Sequence, residues 1–349
     1  MELRNFDFSR KVFYHPERVA AHKAGERPFP VTVEIDLTNR CNHRCAFCYY
    51  AETVATDRST LDTGVIKARL AEMRALGTRG VSLTGGGEPM LHKDFVEIME
   101  HARAVGLDVG LITNGSAIGE RNAEALVRTL SWLRVSAAGG NAESYRKVQG
   151  VDHFDRVLAG LGQACEARAR LNSSTNIGVR MLGTPDNIAT VPLLAARLAA
   201  LGVDYLQVAP DQFTADEGAF WNAPETRAVF ERAGAAMAGA RTRLLTAGYV
   251  WHQDKLDYPR ACHAHFFQFA VLADGHVAYC KNARGAEAFY IGDINQNTMT
   301  EIWNSETNRG IEAWCRPNNC GLFCKHIQMN VALEEALYPD PDMSPNFVG

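Results

Sequence analysis

From residue 31 to about residue 210, short apolar runs alternate with amphipathic stretches. The runs at 31–38, 80–84, 108–113, 132–136, 176–181 and 204–208 are rich in Val, Ile and Leu, as strands buried on both faces are. Between them, 63–76, 95–105, 121–130 and 191–201 repeat apolar residues at helical spacing. Gly77, Gly106 and Gly202 stand where helix C-caps belong. Six such β-α repeats predict a parallel sheet with right-handed crossovers. A closed eight-stranded barrel takes about 250 residues, so about 180 residues with six strands predict an open, partial barrel.

After residue 210 the pattern changes. An Ala-rich helix is predicted over 226–245 as a bridge between two parts of the chain. From Cys262 the text becomes β-like and rich in cysteine. Runs at 266–273 and 276–279 flank Asp274-Gly275, a strong hairpin signal. A helix is predicted over 298–314, followed by a polar tail. The fold class is α/β: an open partial (β/α)6 TIM-like barrel followed by a small α+β cysteine-rich domain. The expected divisions are an N-terminal extension 1–30, the barrel 31–212, a helical bridge 213–258 and a cysteine-rich domain 259–349.

Composition adds limits. Of the 349 residues 46% are hydrophobic and 22% charged, ordinary for a globular chain. A net charge of −4 gives no electrostatic footprint for nucleic acid. The N-terminus is too charged for a signal peptide, and no apolar run reaches about 18 residues. The chain reads as cytoplasmic, with no membrane or nucleic-acid partner. Its nine cysteines are clustered: three in 41–48, five in 262–324, and Cys165 alone. Such clusters read as metal or redox sites rather than a disulfide framework. Cys165, inside a helical pattern, reads as a buried structural thiol.

The first group is Cys41-Asn-His-Arg-Cys45-Ala-Phe-Cys48, directly after the first predicted strand. That position is the mouth of the barrel, where α/β enzymes place their chemistry. Zinc in a closed site takes a fourth protein ligand, and the spacing of His43 fits no familiar zinc knuckle. An iron–sulfur cube on three thiolates keeps one iron open instead. A second motif, Thr84-Gly-Gly-Gly-Glu-Pro89, follows the second predicted strand, and its glycines permit close approach of backbone to a ligand.

Together, CxxxCxxC with Phe47 before the third cysteine and the Gly-Gly-Glu-Pro segment resemble the signature of the radical S-adenosylmethionine (SAM) superfamily. The resemblance implies a [4Fe–4S] cluster on Cys41, Cys45 and Cys48. It implies that Gly85, Gly86, Gly87, Glu88 and Pro89 meet the amino group of the cofactor, with Glu88 offsetting positive charge. Asn114 closes strand three, and Ser136 closes strand four, where the family often has a polar residue for the ribose. Arg180 lies where some members hold the cofactor carboxylate. One departure is Ser136-Ala-Ala-Gly-Gly140, which lacks an acidic residue many members carry after that serine. The implied mechanism is one-electron cleavage of S-adenosylmethionine to a 5′-deoxyadenosyl radical, which abstracts hydrogen from an unactivated carbon.

Downstream, Cys262, Gly275-x4-Cys280, Ile291-Gly-Asp-Ile294, Glu301-Ile-Trp-Asn304 and Cys315, Cys320 and Cys324 resemble the SPASM/twitch extension of that superfamily. Five cysteines are fewer than two auxiliary clusters need, which implies the twitch form with one auxiliary [4Fe–4S] cluster. Its expected ligands are Cys262, Cys280, Cys320 and Cys324, with Cys315 free. A cluster saturated by four thiolates relays electrons and binds no substrate.

Only 40 residues precede Cys41, too few for a separate leader-peptide-binding domain. The expected substrate is therefore a small molecule: a carbohydrate, aminocyclitol or nucleoside oxidised in dehydrogenase fashion in antibiotic or related biosynthesis. An external donor such as flavodoxin or ferredoxin is expected to supply electrons. Asp211, Gln212, Trp251, His252, Gln253, Arg260 and Lys281 are candidate substrate contacts. The alternatives are a peptide-maturing enzyme forming a crosslink or epimer, and a non-catalytic iron–sulfur or zinc protein. The Gly85–Pro89 segment speaks against the last.

Overall fold

The computed structural model describes residues 8–210, 217–246, 261–315, 320, 324 and 326–338. Strands β1 (Thr32–Asp36), β2 (Gly80–Thr84), β3 (Asp108–Thr113), β4 (Trp132–Ser136), β5 (Asn176–Gly183), β6 (Tyr205–Pro210) and β7 (Arg243–Thr246) run parallel. Helices Thr63–Leu76, Phe95–Ala104, Glu120–Thr129, Phe154–Arg170, Val191–Leu201 and Pro224–Ala236 fill the crossovers. The partial barrel is present, and it is one strand longer than the hydrophobic pattern indicated. The single helix expected over 226–245 is a helix to Ala236 followed by β7. Gly239, at φ +77°, turns the chain between them, and four residues of strand are too few to show a period.

The cysteine-rich segment does not stand apart from the barrel. Strand β8 (Gln268–Val271) pairs in parallel with β1, in register Thr32↔Gln268. It turns through Asp274-Gly275 into β9 (His276–Ala278), and β10 (Tyr290–Asp293) pairs antiparallel with β9. The result is one ten-stranded sheet in the order β10-β9-β8-β1-β2-β3-β4-β5-β6-β7. The helix expected over 298–314 breaks at Ser305. Its hydroxyl accepts from Asn308 N (3.0 Å) and caps the second piece.

Alternate strand residues separate two environments. Val33, Ile35, Val81, Leu83, Val109, Leu111, Leu133 and Val135 are buried against the helices. The opposite, interior face carries Glu34, Asp36, Ser82, Thr84, Arg134, Ser136, Arg180 and Gln207. Burial on both faces was expected; the inner face of the open barrel is polar and, Asp36 apart, only part-buried.

The N-terminal helix Pro16–Lys23 joins the C-terminal helix Ile327–Leu337 through a chain of side chains. His22 Nε2 lies 3.0 Å from His263 Nδ1, and His263 Nε2 lies 2.6 Å from Glu334 Oε2. Burial, with His263 beside it, lowers His22 to about 4. Burial lowers His265 to about 3. Both are neutral when folded, so below their ordinary value of 6.5 the unfolded chain binds more protons than the folded one. Their contribution to stability is complete above 6.5 and falls as pH drops toward 4. Thermal unfolding of the metal-free chain across that window will show a falling midpoint, with a shallower fall in His22→Gln.

Candidate active site and auxiliary cysteine group

Cys41, Cys45 and Cys48 lie in the loop that leaves β1, all half-buried and unpaired by disulfides. The backbone folds tightly there: Cys48 N donates to Cys45 O (3.1 Å), and His43 N donates to Cys41 Sγ (3.4 Å). Burial pushes Cys45 up to about 12, and the charges of Cys48 and Cys41 add to the rise. Burial likewise raises Cys41 and Cys48. Three thiols that repel one another as thiolates, with no protein cation among the groups acting on them, suit a metal cluster that supplies the positive charge. Among the described residues no three ligating side chains converge on a single ion. A cube several atoms across needs its thiolates spread around it.

His43 is not part of that donor set. Its Nε2 lies 2.9 Å from Tyr145 Oη and its Nδ1 lies 3.1 Å from Asn42 Oδ1. Gln149 Nε2 donates to the same Tyr145 oxygen (3.1 Å). Arg44 N and Ala46 N donate to the carbonyls of Gln149 and Val148. The loop is thus moored to helix Ala142–Gln149, which no sequence motif marked.

The glycine segment is locked to the same loop. Gly87 N donates to Thr38 O (3.0 Å) and Glu88 N to Arg40 O (2.8 Å). A Cβ on Gly87 would lie 2.2 Å from Arg40 O, and one on Gly86 would lie 2.1 Å from Asn39 Oδ1. These two glycines serve a close approach of the chain to itself. Glu88 is buried and its carboxylate is fully engaged. Thr113 Oγ1 (2.6 Å) and Met90 N (3.1 Å) donate to Oε1, and Asn114 N (2.7 Å) donates to Oε2. Pro89 opens the short turn that follows. Asn114 Nδ2 donates to Asn42 Oδ1 (2.8 Å). Ser136 pairs in register with Arg180, whose Nε is buried with no hydrogen-bond partner among the described residues. Gly85 to Pro89, Asn114 and Ser136 therefore gather around the cysteine loop at strand C-terminal ends, and Arg180 faces the interior beside Ser136.

The second group brings five thiols together. Cys315 is in side-chain contact with both Cys262 and Cys320, and Cys324 feels Cys262, Cys280 and Cys320. Cys315 is buried, and the other four are half-buried. Cys315 was expected to stand free of the cluster; the fold of helix Glu306–Trp314 delivers it beside two of the expected ligands, Cys262 and Cys320.

The model of the Radical SAM superfamily matches residues 35–189, and the SPASM iron–sulfur cluster-binding domain matches residues 262–325. This chain belongs to the radical SAM superfamily. A probable GTP 3′,8-cyclase of Thermococcus kodakarensis is 33% identical over 136 residues, which is 39% of this chain and 44% of that protein. A PqqA peptide cyclase of Gluconobacter oxydans is 27% identical over 290 residues, 79% of this chain and 76% of that protein. Among solved structures, SuiB of Streptococcus suis bound to S-adenosylmethionine overlays with a TM-score of 0.66 at 16% identity, covering 90% of this chain and 76% of that one. That overlay speaks for the fold alone. The cofactors of this radical SAM enzyme are S-adenosylmethionine, the [4Fe–4S] cluster that binds it, and auxiliary iron–sulfur.

In this radical SAM enzyme the two cysteine groups lie toward opposite ends of β1. Cys41 follows its C-terminal end, while Cys280 follows β9, which runs back toward the level of Thr32. Between them sits Arg284. Its Nε and Nη2 grip Asp36 (2.8 and 3.1 Å), Nη2 also reaches Glu34 (2.9 Å), and Nη1 donates to Lys281 O (3.1 Å). Its guanidinium carbon is 5.9 Å from the ring of Tyr50, two residues past Cys48. Lys281 Nζ stands 3.7 Å from Glu34 Oε1, and Gln268 Nε2 donates to that oxygen (2.8 Å). Burial acts to raise Glu34, but Lys281 and Arg284 hold it at about 2. Lys281 is the one expected substrate contact of the auxiliary half that is described, and it is tied to Glu34. Asp211, Gln212, Trp251, His252, Gln253 and Arg260 lie outside the described residues.

Neither Arg284 nor its acidic partners were singled out in the sequence. The available signal was two carboxylates at alternate positions of a strand predicted buried, since buried charges are paired. With side chains only 6% and 3% exposed for Arg284 and Asp36, Arg284→Met leaves Asp36 without its counter-charge and Glu34 with Lys281 alone. It will cost about 3–5 kcal/mol, read as a fall in unfolding midpoint in urea, whereas Lys93→Met on the surface will change little.

Proposed function

We propose that this chain is a peptide-modifying radical SAM enzyme that takes hydrogen from an unactivated carbon of a peptide and leaves a crosslinked or epimerised residue. Extent of similarity carries the reading. The match to PqqA peptide cyclase extends over 79% of the chain, whereas the match to the GTP cyclase is confined to 39%. This reading displaces the carbohydrate, aminocyclitol or nucleoside oxidation suggested by the short segment before Cys41. A peptide held at the open mouth of the barrel needs no separate leader-binding domain.

On this reading Cys41, Cys45 and Cys48 hold the [4Fe–4S] cluster and leave one iron open. Bound there, S-adenosylmethionine supplies a 5′-deoxyadenosyl radical for hydrogen abstraction. Gly85 to Pro89, Asn114, Ser136 and Arg180 orient the cofactor from the ends and inner face of β2–β5, Arg180 offering a cation to its carboxylate. The role of Glu88 is to splice the glycine segment to the end of β3, since its oxygens are taken by Thr113, Met90 and Asn114. Helix Ala142–Gln149 holds the cysteine loop through Tyr145 and His43.

In the second group Cys262, Cys280, Cys315, Cys320 and Cys324 offer five thiols to a cluster with four positions. The contact of Cys315 with Cys262 and Cys320 makes it a ligand on this reading. The spare thiol is the one whose Ala variant keeps the cluster. A low-potential carrier such as flavodoxin or ferredoxin supplies the electron. No helix among the described residues is long and apolar enough to cross a membrane.

Anaerobic reconstitution tests the chemistry. The full chain is expected to hold about eight irons, and the Cys41/Cys45/Cys48→Ala chain about four with no 5′-deoxyadenosine formed. Incubation with short peptides encoded beside its gene should raise 5′-deoxyadenosine and give a product lighter by a pair of hydrogens, or a residue of inverted configuration. Stimulation by sugars or nucleosides but by no peptide would sink the peptide reading.

A further inference from the structure

Tyr279 lies between β9 and Cys280, and the known chemistry of the site gives it no task. Its side chain is 1% exposed. Its hydroxyl is buried, with no hydrogen-bond partner among the described residues. A hydroxyl removed from water and left unbonded costs about 1–3 kcal/mol, and buried tyrosine hydroxyls ordinarily find a partner.

The ring cannot swing away to find one. It stacks on His265, with centroids 3.7 Å apart and planes 14° from parallel. His265 Nδ1 lies 2.9 Å from the Tyr279 carbonyl oxygen, and Tyr279 N donates to Phe289 O (2.9 Å). Behind His265, Trp303 closes the stack at 4.8 Å. The charged groups that act most on the phenol are Cys262 and Cys315, ahead of Glu312 and Cys280. Tyr279 immediately precedes Cys280 and its ring stacks on His265, three residues past Cys262, so the orphaned donor lies within the five-thiol group.

We propose that Tyr279 donates a hydrogen bond to a sulfur of the auxiliary cluster held at Cys262 and Cys315, and so tunes the reduction potential of that cluster. The proposal rests on the reading that the second cysteine group holds a cluster. A donor aimed at sulfur stabilises the extra negative charge of the reduced state and raises the potential. Metal-free, the same hydroxyl has nothing to bond.

The test uses full-length Cys41/Cys45/Cys48→Ala chain, in which only the auxiliary cluster assembles, with and without Tyr279→Phe. Iron and the midpoint potential, followed by electron paramagnetic resonance during a redox titration, are measured. Iron should stay at about four per chain, and the potential should move to a more negative value in Tyr279→Phe. The metal-free Tyr279→Phe chain should unfold at the same temperature or higher, because it loses only an unbonded hydroxyl. An unchanged potential at full iron content overturns the proposal. Loss of the cluster from Tyr279→Phe with its metal-free fold intact also overturns it, since that marks a ligand-holding role. If changing Cys262, Cys280, Cys315, Cys320 and Cys324 together to Ala in the same background leaves the iron and its spectrum unchanged, the cluster reading itself fails.

Discussion

The grip of Arg284 on Glu34 and Asp36 is the interaction on which the two halves of this radical SAM enzyme depend. Taking a guanidinium and two carboxylates out of water is costly, and the geometry answers with four donated bonds from one side chain. The carboxylates belong to the first barrel strand, and the arginine belongs to the segment after Cys280. Tyr50 lies near the guanidinium, so a single buried group touches chain adjoining both cysteine groups. Parallel pairing of β8 with β1 makes the same junction through backbone. The cysteine-rich part is thereby an extension of the barrel sheet.

That junction sets the chemistry. The cysteine loop and glycine segment occupy the C-terminal mouth, held to each other by Gly87 N, Glu88 N and the Asn42–Asn114 contact. The five thiols sit toward the other end of β1, over an aromatic stack of Tyr279, His265 and Trp303. A polar interior face separates the two.

The glycines and Glu88 show what the motif does for the fold itself. A close approach to backbone is required at Gly86 and Gly87 by Asn39 and Arg40, before any ligand is considered. Glu88 splices the segment after β2 to the end of β3 through two accepted bonds, from Thr113 and Asn114. The motif is therefore a structural joint, and its residues answer to packing before any ligand is bound.

Much of this was legible in the sequence because its signals are local. Apolar runs of five or six residues marked β1–β6, Asp274-Gly275 marked the β8–β9 turn, and cysteine spacing marked a cluster loop at the mouth. Other features depend on residues far apart in the chain, which no period or spacing records. The pairing of β8 with β1 joins residues more than two hundred positions apart, and β7 is too short to show a pattern. Arg284 finds Glu34 and Asp36, His43 finds Tyr145, and Cys315 reaches Cys262 only once the sheet is assembled. The sequence by itself determined the strands, the loop and the kind of chemistry, since these follow from neighbouring residues. Tertiary structure alone decided how the two cysteine groups are held apart and which buried polar groups face them, because burial and charge pairing act between segments that meet only in the folded chain.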